Sequence, residues 1–255
     1  MRNLWICSEM TDPCFYTNLA IKRLETKKDP ALLIITKDVG ECYPIYEYCV
    51  NKEVPFLLHA TITGFGGTKF ESGVKPYYQS LLELKTLIDK GILLGNRVIL
   101  RVDPLCLHSD FYEIIEIVKE SKKLGITKVR VSILDYYPHV RTRLKEQSLP
   151  YCSNFSLDKD TIESLIKDIY SITVLKGLTL YLCAEQVPDG LRWDKRVSIR
   201  GCASIEEWKE LGIDIKPRTR SLQRKSCTCD AQKNDLLSGV KKGCDHRCLY
   251  CYWKW

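Results

Sequence analysis

Cys244, Cys248 and Cys251 stand in the order C-x3-C-x2-C near the end of the chain, within Gly243-Cys244-Asp245-His246-Arg247-Cys248-Leu249-Tyr250-Cys251-Tyr252. Cysteine sulfur is the usual protein ligand of iron–sulfur centres. Three thiolates so spaced can wrap three corners of a [4Fe–4S] cubane and leave the fourth iron for an outside ligand. In radical S-adenosylmethionine (SAM) enzymes that ligand is the methionine end of SAM. An electron from the cluster then splits a carbon–sulfur bond and yields a 5′-deoxyadenosyl radical, chemistry that the cofactor supplies and the protein orients. Tyr250, directly before the third cysteine, stands where those enzymes usually place an aromatic. The competing chemistry is structural zinc, which takes four sulfur or nitrogen ligands and prefers C-x2-C pairs. Cys248 and Cys251 form one such pair, and Cys227, Cys229, Cys244 and His246 supply further donors. Cys227 and Cys229 stay open between an accessory metal, a redox or radical-quenching thiol, and plain packing.

The chain has thirteen cysteines among 255 residues. Eight are scattered, as small buried hydrophobes are. The other five crowd into the segment from Cys227 to Cys251, as metal ligands do. The N-terminus meets Glu9 too early for a signal peptide, and no apolar run reaches the roughly 20 residues that cross a bilayer. These features predict a soluble, cytoplasmic protein with reduced thiols rather than a disulfide framework. The net charge of +7 is spread out. It thickens at Lys216, Arg218, Arg220, Arg224 and Lys225, a stretch that either meets phosphate, including that of a nucleic acid, or stays solvated.

Such a tail needs a scaffold. Apolar, strand-like runs at Leu4–Cys7, Ala31–Thr36, Phe56–Thr63, Arg97–Val102, Lys128–Leu134 and Leu178–Ala184 alternate with helix-like segments. Several strands are Val-, Ile- and Leu-rich at successive positions, as in a covered parallel sheet. In Phe111–Leu124 the apolar residues recur at helical spacing, with Glu113, Glu116, Lys119 and Glu120 toward water. The alternation predicts an α/β fold, a partial TIM-type (β/α) barrel of about six units. Residues 1–215 would form the barrel, and residues 216–255 a cysteine-rich tail folded back on its mouth.

In such folds the residues just past the C-terminal strand ends face the site. Here they are Ser8, Thr11 and Asp12; Thr36 and Lys37; Thr61 and Thr63; Arg101 and Asp103; Ser132 and Asp135; Cys183 and Glu185. If SAM binds there, Arg101 suits its carboxylate, Glu185 and Asp103 its ammonium or ribose, and Thr61 or Thr63 its ribose. Arg101 and Asp103 are alternatively an ion pair of their own. Cys183 and Glu185 are the catalytic candidates, with Cys183 a hydrogen-atom donor unless it is simply buried. His59, inside a strand, reads as a satisfied core residue. His246 either shapes the cysteine loop or is exposed.

Over almost its whole length the sequence resembles a bacterial family catalogued as domain of unknown function eighteen-forty-eight. The resemblance is carried by Ser8 to Asp12, Ile35-Thr36-Lys37, Ala60 to Gly64, Arg97 to Pro104, Ser132 to Asp135, Leu182 to Glu185, Gly201-Cys202, Arg224 to Cys229 and Cys244 to Tyr252. It implies kinship with radical SAM proteins and some similarity to spore photoproduct lyase. From that follow a [4Fe–4S] cluster, SAM, an electron donor such as flavodoxin or ferredoxin, and nucleic-acid repair or base modification as one activity. Typical radical SAM enzymes carry the cysteine loop after the first strand, so a C-terminal loop implies a permuted barrel.

Overall fold

Alternation along the strands decides the architecture. In β2 (Pro30–Thr36), Leu32 and Ile34 join the core under the helices, while Ala31, Leu33 and Ile35 join a second core on the opposite face. The same period-2 split runs through β1 (Asn3–Cys7) and β3 (Phe56–Thr61), because successive side chains point to opposite faces. The computed structural model describes residues 1–7, 11–219, 227–240 and 244–253.

The remaining strands are β4 (Val98–Leu105), β5 (Lys128–Ile133), β6 (Thr179–Leu182), β7 (Val197–Ile199) and β8 (Asn234–Asp235). They form one sheet in the order β7-β6-β5-β4-β3-β2-β1-β8, parallel at every junction. Helices α1 (Thr17–Glu25), α2 (Tyr43–Asn51), α3 (Tyr77–Asp89), α4 (Phe111–Lys123), α5 (Pro138–Glu146) and α6 (Lys159–Val174) send their buried residues into the core on one face. Asp110 and Asp158 start α4 and α6 by accepting N–H bonds of the first turn.

The α/β class stands, and the strands form one open parallel sheet. Six strands follow one another in sheet order as the alternation predicts, yet the ends of the sheet do not meet. β7 has three residues and β8 has two, too few ladder groups to close a seam. In place of further strands, the chain after β7 covers the second face. Ala203, Trp208 of α7 (Ile205–Lys209), Ile215, Cys229 and Ala231 pack on Leu4, Ile6, Ala31, Leu33, Ile35 and Leu57. Trp208 is 1% exposed and is the largest side chain in that layer. Trp208→Ala is expected to lower unfolding free energy by about 3–5 kcal/mol in urea titration; a loss below about 1 kcal/mol would mean that this layer is not a packed core.

The tail contributes to the sheet itself. Asn234 and Asp235 pair with Trp5 and Ile6, and Leu236 N–H donates to Ile6 O at 2.8 Å. Among the described residues no helix is long and apolar enough to cross a membrane.

Candidate functional site at the strand ends

On β3 to β6 the second face turns from apolar to polar. Across the strands Thr61 pairs with Arg101, Arg101 with Arg130, and Arg130 with Tyr181. Two guanidinium groups side by side repel, so each requires a counter-charge. Arg130, fully buried, donates to Glu207 of α7 and to His59 Nε2 at 3.0 Å, and lies 5.4 Å from the Tyr181 ring. Burial opposes the Arg130 charge, but the Glu207 carboxylate outweighs it and keeps the group cationic. Burial and the two arginines push His59 well below its ordinary range. It is therefore a neutral acceptor, the satisfied core histidine that its place in a strand predicts.

Arg101 pairs with Asp103, which also accepts from Ser132 Oγ. The ion-pair alternative is thus realised. Arg101 nevertheless lines the cavity, and its Nε is buried with no partner. An orphaned buried donor at a cavity wall is costly unless something fills the place.

The cavity, about 330 Å³, sits beyond the C-terminal strand ends. Of the residues expected at a cofactor, it gathers Thr61, Arg101, Asp103, Cys183, Cys227, Tyr250, Cys244, Cys248 and Cys251. Thr63 and Glu185 are not in its wall. Thr63 Oγ1 accepts from Phe65 N–H at 3.1 Å, and Glu185 Oε1 accepts from Ile133 N–H at 3.1 Å. Cys229 lies behind the wall, 2% exposed. In the basic stretch Lys216 is exposed and Arg218 half-buried; Arg220, Arg224 and Lys225 fall outside the described residues.

The cysteine loop is held by contacts from distant parts of the chain. His246 Nδ1–H donates to Gly73 O at 3.2 Å, and Nε2–H donates to Asp12 Oδ2 at 2.9 Å. With both nitrogens donating, the ring is an imidazolium. Burial works against that charge, but Asp12 overrides it and raises the histidine pKa. Arg143 clamps the other side, donating to Cys248 O and Leu249 O at 3.2 Å each and to Trp253 O at 2.6 Å. Leu249 N–H donates to Phe70 O at 2.9 Å, and Gly73 N–H to His246 O at 3.1 Å. At Gly73 a Cβ would come within 2.0 Å of Asp245 O. Gly73→Ala must therefore displace the loop. It is expected to cost about 1–3 kcal/mol of stability, read as a drop in melting temperature; an unchanged melting temperature would contradict this packing.

Electrostatics around the thiols are one-sided. Lys37 Nζ donates to Glu71 Oε1 at 2.7 Å and to Tyr250 OH at 2.8 Å, and Tyr250 OH donates to Glu71. Burial disfavours the Lys37 ammonium, but Glu71 outweighs that and keeps it charged. Burial raises the Cys248 thiol well above its ordinary range, with Lys37 partly offsetting it, and burial also raises Cys244. A bound metal would reverse this, since a coordinating thiol is deprotonated outright. Lys37 was legible as a strand-end cation. Glu71, on a turn with no periodic signal, was not.

Among the described residues one further group brings metal-binding side chains together. Asp12, Cys14 and His246 offer one ligand atom each within 4.8 Å of one another. Asp12 already accepts from Cys14 N–H, Thr36 Oγ1, Lys37 N–H and His246, so this group also serves to fasten the loop to β2. Cys202 lines the cavity beside Cys227, and Cys229 packs against it. The Cys202 and Cys229 sulfurs are 3.5 Å apart. The hydrogen bond from Cys229, opposed by burial, pulls the Cys227 thiol down to about 6.

Among curated proteins nothing matches the chain. The family model described as "Domain of unknown function (DUF1848)" matches residues 7–253. The match takes in the strand ends, the Cys227-x-Cys229 pair and the C-x3-C-x2-C loop, and the chain belongs to that family.

Proposed function

We propose that the protein is a radical SAM enzyme, with Cys244, Cys248 and Cys251 holding a [4Fe–4S] cluster whose fourth iron takes SAM. The observation that carries this reading is the convergence of all three tail thiols with Arg101, Asp103 and Thr61 on one cavity at the strand ends. Its 330 Å³ lies at the lower end of the roughly 300–1,000 Å³ of small-molecule sites. In this reading the open sheet is a partial barrel in permuted order. Its cysteine loop reaches the mouth from the C-terminus instead of from the first strand.

When bound, cluster and SAM supply a one-electron cleavage of a carbon–sulfur bond, the start of radical chemistry. The chain's own residues do the positioning. Arg143 and the Asp12–His246 pair fix the loop that carries the thiols. Lys37 places a buried positive charge beside Cys248 and offsets the charge of bound thiolates. Arg101, with its unpartnered Nε, would hold the SAM carboxylate, and Asp103 and Thr61, which line the same cavity, would hold its ammonium or ribose. Phe65 stacks on Phe70 and meets the tilted ring of Tyr250, which lines the cavity, so apolar rings back the wall at Tyr250. Cys183, half-buried in the cavity wall with burial favouring its protonated thiol, would give its S–H hydrogen atom to a substrate-centred carbon radical, leaving a thiyl radical that one electron and one proton restore to the thiol. An electron carrier of the flavodoxin or ferredoxin class supplies the reducing equivalent.

Anaerobic purification tests the cluster. The protein is expected to be brown and to carry about four iron and four sulfide per chain after reconstitution. A colourless protein with stoichiometric zinc would overturn the reading.

A further inference from the structure

Two sulfurs from segments far apart in sequence meet at the cavity wall. Cys202 follows β7 and lines the cavity, whereas Cys229 precedes β8 and is buried behind the wall. Backbone contacts bring the two segments together. Asp230 N–H and Ala231 N–H both donate to Ala203 O at 3.2 Å, and Ile205 N–H donates to Asp230 Oδ1 at 2.8 Å. At Gly201 a Cβ would lie 2.8 Å from both the Cα and the sulfur of Cys229, so only glycine permits the approach.

The pairing of these sulfurs is therefore set by the backbone. Cys202 Sγ and Cys229 Sγ stand 3.5 Å apart, in contact but unbonded. A disulfide brings two sulfurs to about 2.05 Å, so a gap of about 1.5 Å is left for side-chain rotation to close. The hydrogen bond to Cys229, together with burial, raises the Cys202 thiol well above its ordinary range, so the resting pair is a dithiol. Ala203 N–H donates to Cys229 Sγ at 3.5 Å, and Lys233 Nζ lies 4.0 Å from Cys202 Sγ. Exchange runs through the thiolate, and an N–H donor or a cation beside sulfur favours that form.

We propose that Cys202 and Cys229 are a redox-active dithiol, which closes to a disulfide when a low-molecular-weight disulfide of the glutathione class enters the cavity. Cys202, the member of the pair in the cavity wall, meets the oxidant first. Its thiolate attacks one sulfur of the small disulfide, forms a mixed disulfide and releases one small thiolate. The Cys229 thiolate then attacks the Cys202 sulfur, forms the internal bond and releases the second small thiolate. Two protein thiols are oxidised, one small disulfide is reduced to two thiols, and the two protons pass from the protein to the leaving thiolates. The new bond ties the connection after β7 to the segment that enters β8, whose Asn234 and Asp235 pair with β1. This chemistry needs neither the cluster nor SAM.

The test incubates the full reduced chain anaerobically with oxidised glutathione, blocks the remaining thiols with iodoacetamide and reads the digest by mass spectrometry. A Cys202–Cys229 link that dithiothreitol reverses is the expected product. Cys202 found alkylated, still carrying glutathione, or joined to any other sulfur overturns the proposal. Cys227 is two positions from Cys229, so two variants identify the partner. The link should persist in Cys227→Ser and vanish in Cys229→Ser, where glutathione should stay trapped on Cys202. A link lost in the first variant or kept in the second overturns the proposal. Circular dichroism checks that both variants fold. Should either not fold, fragmentation between Cys227 and Cys229 in the linked peptide of the unaltered chain assigns the partner. The readout follows sulfur linkage and not iron, so failure of this pair and failure of the cluster are read apart.

Discussion

Replacing any one of Cys244, Cys248 and Cys251 by alanine is expected to drop iron from about four per chain to below about one and to abolish SAM cleavage. The thiols sit on one short loop, and in the proposed reading each supplies one corner of the same cluster, so the three losses should be alike and not additive. The scaffold should survive. The loop is fixed by its backbone carbonyls on Arg143 and by the Asp12–His246 pair, none of which uses a cysteine sulfur of the motif. Iron analysis and circular dichroism on each variant separate the two effects. Retention of full iron by any single variant would refute the ligand assignment.

A stability effect as large as that at Trp208 is expected at Arg130. This residue and Glu207 are 0% and 1% exposed, and they join β5 to α7 across the second face of the sheet. Removing one partner leaves the other charge buried and unpaired, which costs about 3–5 kcal/mol. Arg130→Ala also removes the donor to His59. The paired substitution Arg130→Met with Glu207→Leu removes both charges and is expected to recover most of the loss. Chemical denaturation of the single and double variants measures the coupling. Equal destabilisation by both would show that packing, not charge, dominates there.

What could be read in advance follows from how local each signal was. The first six strands announce themselves because β-branched and leucine runs are intrinsic to a covered sheet, and their neighbour order follows from short crossovers. β7 and β8 carry no such signal. Val197–Ile199 and Asn234–Asp235 are strands only because β6 and β1 lie beside them. Whether the sheet closes depends on those same edges, and its ends do not meet. α5 begins at Pro138, an N-terminal proline that fits a helix start, but its sequence is strongly polar and its periodicity weak.

At the site, the cysteine spacing and the strand-end polar residues were legible because both are fixed by sequence distance. The fates of Thr63 and Glu185 were not. Each turns its oxygen back to a backbone N–H nearby in space, a choice set by the turn after its strand. His246 was ambiguous until Asp12, 234 positions away, supplied its partner. The union of Cys202 with Cys229 depends on tertiary contact and on Gly201, and no spacing rule announces it.

The most direct measurement is anaerobic incubation of the reconstituted chain with dithionite and SAM, followed by chromatography for 5′-deoxyadenosine. Formation of this nucleoside, lost on substitution of Cys248, is the predicted result. A fully iron-loaded protein that yields none, or yields it equally with Cys248→Ala, would contradict the assignment of this cavity to SAM.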